Sequence, residues 1–125
     1  RALGAGPRHW ESLQHAIAAG VEILMGSDMP PHAAYDETTA TVREMEFMVE
    51  AGMTPHAVMT SATRAATGWL GADDLGVLAP GADADLIVLD GDPVADISAL
   101  RSLHGVIQGG RAVRDDRGLL AGLPR

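Results

Sequence analysis

Asp28 is the residue whose type and setting together point most directly to reaction chemistry. It closes the run Val21-Glu22-Ile23-Leu24-Met25-Gly26-Ser27-Asp28 and precedes Pro30-Pro31. The apolar part of that run, Val21 to Gly26, suits a short buried strand, and the prolines after it demand a loop over Ser27 to Asp36. A carboxylate at the C-terminal end of a parallel strand can ligate a metal and exchange a proton with the water beside it. Gly26 and Ser27 are small enough to let the strand end approach its neighbours. The competing reading makes Asp28 an ordinary turn or capping aspartate, and position alone leaves both open. His32 follows four residues later on the same loop. It is a candidate for substrate binding or proton handling in the same cleft, against the plainer reading of a solvated loop histidine.

The remaining polar residues carry weaker signals. His9, His15, His56 and His104 show no His-x-His, His-x-x-x-His or His-Glu-x-x-His spacing, so they read as surface or structural histidines. Ser27 and Ser61 lack an evident base partner, which leaves a serine nucleophile unsupported. Asp83, Asp85, Asp90, Asp92 and Asp96 crowd the second half, but their spacing is not that of a calcium loop and an apolar strand interrupts them. Met45, Met48, Met53 and Met59 read as core packing.

Several elements must position Asp28. Pro7 to Ala19 reads as a helix with Gly20 as its terminating glycine. A second helix follows the loop, with Asp36 as the expected N-cap and Gly52 at its end. Its apolar face carries Val42, Met45, Met48 and Val49, while Glu44, Glu46 and Glu50 are expected to point elsewhere. Thr54-Pro55 starts a third helix, Thr as N-cap and Pro at the first helical position, running with a break to Trp69-Leu70. Beyond Leu75 the character changes. Ala84 to Asp90 is a short apolar strand, and Val106 to Arg114 reads as a hairpin turning at Gly109-Gly110. Helix, strand, loop and helix in that order make an α/β unit.

Composition bounds the rest. The 125 residues carry a net charge of −8, 46% hydrophobic and 3% aromatic residues, and no cysteine. This is a globular composition whose core must be aliphatic. Disulfides and thiolate metal sites are excluded, and a reducing, cytoplasmic setting is expected. The nine basic residues are all arginine and scattered, which argues against a nucleic-acid partner. No apolar run has membrane-spanning length. The chain opens on Arg1, as if cut from a longer protein. A nucleotide-binding fold is disfavoured because no Gly-x-Gly-x-x-Gly joins a strand to a helix.

Four segments, in this order and spacing, resemble the amidohydrolase superfamily, most closely its imidazolonepropionase-like and prolidase-like members. Gly20 to Asp28 looks like the eighth barrel strand, ending in the family's Gly-(Ser/Thr)-Asp. Glu44 to Pro55 is similar to the helix that follows. Ala62-Thr63-Arg64-Ala65-Ala66 stands where the family has Thr-x-Asn-x-Ala, with Arg64-Ala65 departing from the asparagine form. Leu75 to Gly81, then Ala84 to Pro93, resembles the return of the chain into the small flanking β domain.

The resemblance implies an α/β fold: residues 1–75 as the C-terminal part of a (β/α)8 TIM-like barrel, and 76–125 as part of the β domain. It implies one or two divalent metals, usually zinc, a metal-activated water, and Asp28 as both metal ligand and proton shuttle. It further implies hydrolysis of an amide or related C–N bond in a small-molecule substrate, by a homo-oligomeric parent. The family's other ligands, a His-x-His, a lysine or glutamate and two further histidines, belong to upstream segments that this sequence does not contain. A whole barrel takes about 250 residues, and one carboxylate does not hold zinc. The chain by itself is therefore expected to be inactive. The alternative is a non-catalytic binding or interaction domain descended from the same family.

Overall fold

A computed structural model describes residues 7–30, 34, 35 and 38–124. The order is helix α1 (Pro7–Ala18), a two-residue strand pair β1 (Ala34–Tyr35) and β2 (Thr38–Thr39), then α2 (Ala40–Glu50), α3 (Pro55–Ala62) and α4 (Arg64–Trp69). Strand β3 (Leu86–Leu89), a 3-10 helix (Ile97–Ser102), β4 (Leu103–Gln108) and β5 (Arg111–Asp115) follow. The α/β class expected from the sequence is what the chain adopts. No helix among the described residues is long and apolar enough to cross a membrane.

Glycine stops the first two helices as their sequences require. Gly20 sits at φ +70°. Its N–H donates to Ile17 O at 3.0 Å, and Val21 N–H donates to Ala16 O at 3.0 Å. Gly52 repeats the arrangement after α2, with Gly52 N–H to Val49 O and Met53 N–H to Met48 O. These paired bonds satisfy carbonyls that a helix end leaves open. Thr54 caps α3, its hydroxyl accepting from Ala57 N–H at 3.1 Å, with Pro55 next in line as expected. The break inside the third helical stretch falls at Thr63, between α3 and α4.

Three expectations need correcting. Helix α2 is capped by Thr39, whose hydroxyl accepts from Val42 N–H at 3.3 Å, and not by Asp36. Thr38 and Thr39 pair with Tyr35 and Ala34, so the chain is still in a strand pair where a helix starting at Asp36 would already be turning. Asp36 itself lies outside the described residues. Glu46 does not face away from the core. It is 8% exposed, because Arg101 of the 3-10 helix reaches its carboxylate. Finally, Val21 to Gly26 forms no ladder with another strand among the described residues. Val21 is 56% exposed. A strand needs a neighbour's N–H and C=O groups as well as an apolar sequence, and the described residues place none beside it.

The core joins the two halves of the sequence. Met45 and Met48 of α2, Val58 of α3, and Ile97 and Leu100 of the 3-10 helix form one buried cluster, with Ile23, Met25, Val42 and Leu89 packed against it. Burying such a side chain contributes about 1.5–3 kcal/mol. The second half is otherwise a three-stranded antiparallel sheet in the order β3-β4-β5. Its β4–β5 turn falls at Gly109-Gly110, as the sequence suggests, and Gly109 N–H donates to Asp85 Oδ1 at 2.7 Å.

Leu75-Gly76 has a clear structural task. Thr67 Oγ1 donates to Leu75 O at 2.9 Å. A Cβ on Gly76 would lie 2.8 Å from the Thr63 carbonyl carbon and 2.9 Å from Thr67 Oγ1. Only glycine lets the departing chain lie this close to the α3–α4 break, and its φ of +70° adds a second reason.

Candidate functional site

Among the described residues, the segment leading to Asp28 is held by the core cluster and by α3. Ile23 and Met25 both pack against the core cluster, as alternate residues of one face would. Ser61, on α3 and only 2% exposed, donates its Oγ hydrogen to Ile23 O at 2.6 Å. The Ser61 hydroxyl is thereby committed to a backbone carbonyl.

Asp28 stands at the end of this segment, exposed to solvent. Its φ is +49°, the left-handed region, and it is the non-glycine residue with positive φ among those described. Aspartate tolerates this conformation better than most residues, but it still costs about 1–2 kcal/mol. Such a feature persists where surrounding structure dictates it, and it motivates a functional reading. Among the described residues the Asp28 carboxylate has no hydrogen-bond or ion-pair partner. His32 lies outside the described residues.

Several other acidic groups are already hydrogen-bonded. Asp92 Oδ1 accepts from Val94 N–H and Asp96 Oδ1 from Ser98 N–H, each at 2.9 Å. Asp96 thereby caps the 3-10 helix, an element that the sequence reading missed although Asp96-x-Ser98 carries its signal. Asp90 pairs with Arg117 and lies 3.5 Å from Nε2 of the buried His104. His9, His15 and His56 are exposed. Among the described residues, no three His, Asp or Glu side chains stand close enough together to hold a metal ion.

Glu46 is paired with two arginines. Arg101 and Arg43 both donate to it, and these bonds, Arg101's foremost, hold its carboxyl below the ordinary carboxylate range. The Arg43 guanidinium also stacks 3.8 Å from the centre of the Phe47 ring. This is architecture rather than reactivity, since both oxygens are occupied. Glu44 moves the other way, burial pushing its carboxyl up.

An open cleft of about 410 Å³ lies between Glu22, Thr60, Arg64, Ala65, Gly68 and Trp69. Asp28 does not line it. The described residues therefore present Asp28 at an open end and do not enclose it.

Comparison with known proteins bears on that openness. The sequence model of the amidohydrolase family matches residues 4–113. An ochratoxinase from Aspergillus niger is 36% identical over 101 residues, covering 78% of this chain and 20% of that protein. An imidazolonepropionase from Cutibacterium acnes is 38% identical over 76 residues, covering 57% of this chain and 18% of the relative. A crystal structure of a Xaa-Pro dipeptidase with methionine bound in its active site superposes with a TM-score of 0.77 at 32% identity. It covers 89% of this chain and 27% of the dipeptidase. The chain thus spans about a fifth of the length of these curated relatives and just over a quarter of the solved one.

Proposed function

The chain belongs to the amidohydrolase family, and from that premise we propose that it is the Asp28-bearing portion of a metal-dependent hydrolase acting on an amide or related C–N bond. The observation that carries this is the carboxylate of Asp28, held at positive φ where the family's Gly-(Ser/Thr)-Asp motif ends. Residues 1–75 are read as the last portion of a (β/α)8 barrel and 76–125 as part of the flanking β domain. The confinement of α1 to α4 to the first part and of β3-β4-β5 to the second supports this division.

The donor chemistry fits a divalent metal in part. Asp28 supplies one exposed carboxylate, a suitable oxygen ligand for zinc, but a catalytic zinc site takes about three protein ligands. The described residues do not make up that number, so the site is read as shared with segments beyond those described. When bound, one or two such ions supply positive charge that brings the pKa of an adjacent water from about 15.7 towards about 7.

In this reading Asp28 does the proton work. A carboxylate with a free oxygen accepts the proton of the attacking water as the new C–O bond forms. It then returns the proton to the leaving nitrogen as the C–N bond breaks. His32 is read as a substrate-binding group of the same cleft. The substrate is a small molecule, as the relatives' names describe for proteins such as the dipeptidase. The complete enzyme is read as a homo-oligomer, with the exposed pair Trp69-Leu70 as a candidate contact.

Substitution separates the two roles in the complete enzyme. Asp28→Asn should abolish turnover with the fold intact. His32→Ala should raise KM with metal content unchanged. A His32→Ala enzyme with wild-type KM and kcat would remove His32 from the site.

A further inference from the structure

The segment carrying Asp28 meets the core through alternate apolar residues: Ile23 and Met25 pack against the buried cluster, while Val21 is exposed. Apolar packing is non-directional and fixes the place of such a segment only loosely. A hydrogen bond from a buried hydroxyl to a backbone carbonyl also fixes distance and direction, and its loss would leave the hydroxyl unsatisfied.

Ser61 makes that bond. It is 2% exposed on α3, and its Oγ meets Ile23 O at 2.6 Å across 38 positions of sequence. We propose that Ser61 is a positioning residue for the reaction: by holding the Ile23 carbonyl it fixes the segment against α3 and so the place of the Asp28 carboxylate. The inference rests on the reading of Asp28 as the proton carrier. Its leverage is geometric, since reacting groups misplaced by about 1 Å can lose on the order of a hundredfold in rate.

The test compares Ser61→Ala, Ser61→Cys and Val88→Ala in the complete enzyme. Cysteine keeps the size and a weak donor. Val88 lies in β3, opposite Gly105 of β4, and its truncation controls for lost stability. Ser61→Ala should lower kcat at least tenfold with KM within twofold and metal content unchanged. Ser61→Cys should fall between it and wild type, and Val88→Ala should leave kcat within twofold. If Ser61→Ala does not fold, Ser61→Cys against wild type decides, and a kcat at least threefold lower at unchanged KM is required. Ser61 variants whose kcat matches the Val88→Ala control overturn the proposal. Should Asp28→Asn retain activity, the underlying reading fails instead, so the two failures are distinguishable.

Discussion

Glu46 of α2 and Arg101 of the 3-10 helix form a two-point ion pair across 55 positions of sequence, Nε to Oε1 at 2.6 Å and Nη2 to Oε2 at 2.8 Å. The same carboxylate accepts from Arg43 Nη1 at 2.9 Å. The pair ties α2 to the 3-10 helix, the elements that carry Met45, Met48, Ile97 and Leu100 of the buried cluster.

That pair gives the protein a pH-dependent increment of stability. The folded-state pKa of Glu46 is depressed, chiefly by the Arg101 hydrogen bond. The increment is therefore fully present above the ordinary glutamate value of about 4.3 and is lost as pH falls through the lower folded value. Glu46→Gln should cost about 1–3 kcal/mol at pH 7, less than a fully buried pair because Arg101 is partly exposed. Urea denaturation of both proteins from pH 7 down to 3 should show the difference shrinking below pH 4. A difference that stays constant over that range would remove the ion pair as its cause.

Gly76→Ala should destabilise by about 2–4 kcal/mol, combining a left-handed φ with overpacking. The added methyl would meet the Thr63 backbone at 2.8 Å, which cannot rotate away as a side chain could. Thermal unfolding of the variant checks this, and a melting temperature within a degree of wild type would show that the α3–α4 junction yields easily.

Produced as these 125 residues alone, the chain should bind zinc weakly, show no hydrolase activity and self-associate. One carboxylate is short of a site. Val21, Trp69, Leu70 and Leu78 leave large apolar surface in water, and β3 presents a wholly aliphatic edge strand. Size-exclusion chromatography with metal analysis measures both properties. A sharp monomer peak carrying one equivalent of zinc contradicts the reading.

Local signals were legible in the sequence where a residue acts on its own neighbours. Gly20, Gly52 and Thr54-Pro55 mark helix ends through bonds within one turn, and Gly109-Gly110 marks its hairpin the same way. The misses depend on distant partners. Glu46 looks like any surface glutamate until Arg101 arrives from the second half, and Ser61 looks idle until the Ile23 carbonyl lies beside it. Val21 to Gly26 has the composition of a strand but no described neighbour to pair with. Asp36 was a plausible cap, yet the pairing of Thr38 and Thr39 with Tyr35 and Ala34 moves the helix start to Ala40. For the site itself, the sequence indicated where Asp28 stands in the chain, and no local pattern could supply its companions.

The central claim is that Asp28 carries the proton, and Asp28→Asn in the complete enzyme tests it most directly. Asparagine keeps the size of the side chain and tolerates the left-handed backbone at φ +49°, so the fold should survive. It cannot accept the proton, and loss of such a group costs on the order of 10²–10⁴ in rate. Turnover should be measured alongside circular dichroism and metal content, so that loss of chemistry is separated from loss of structure or of ions. The account predicts a folded protein with at least a hundredfold lower kcat. An Asp28→Asn enzyme whose kcat stays within threefold of wild type would contradict it.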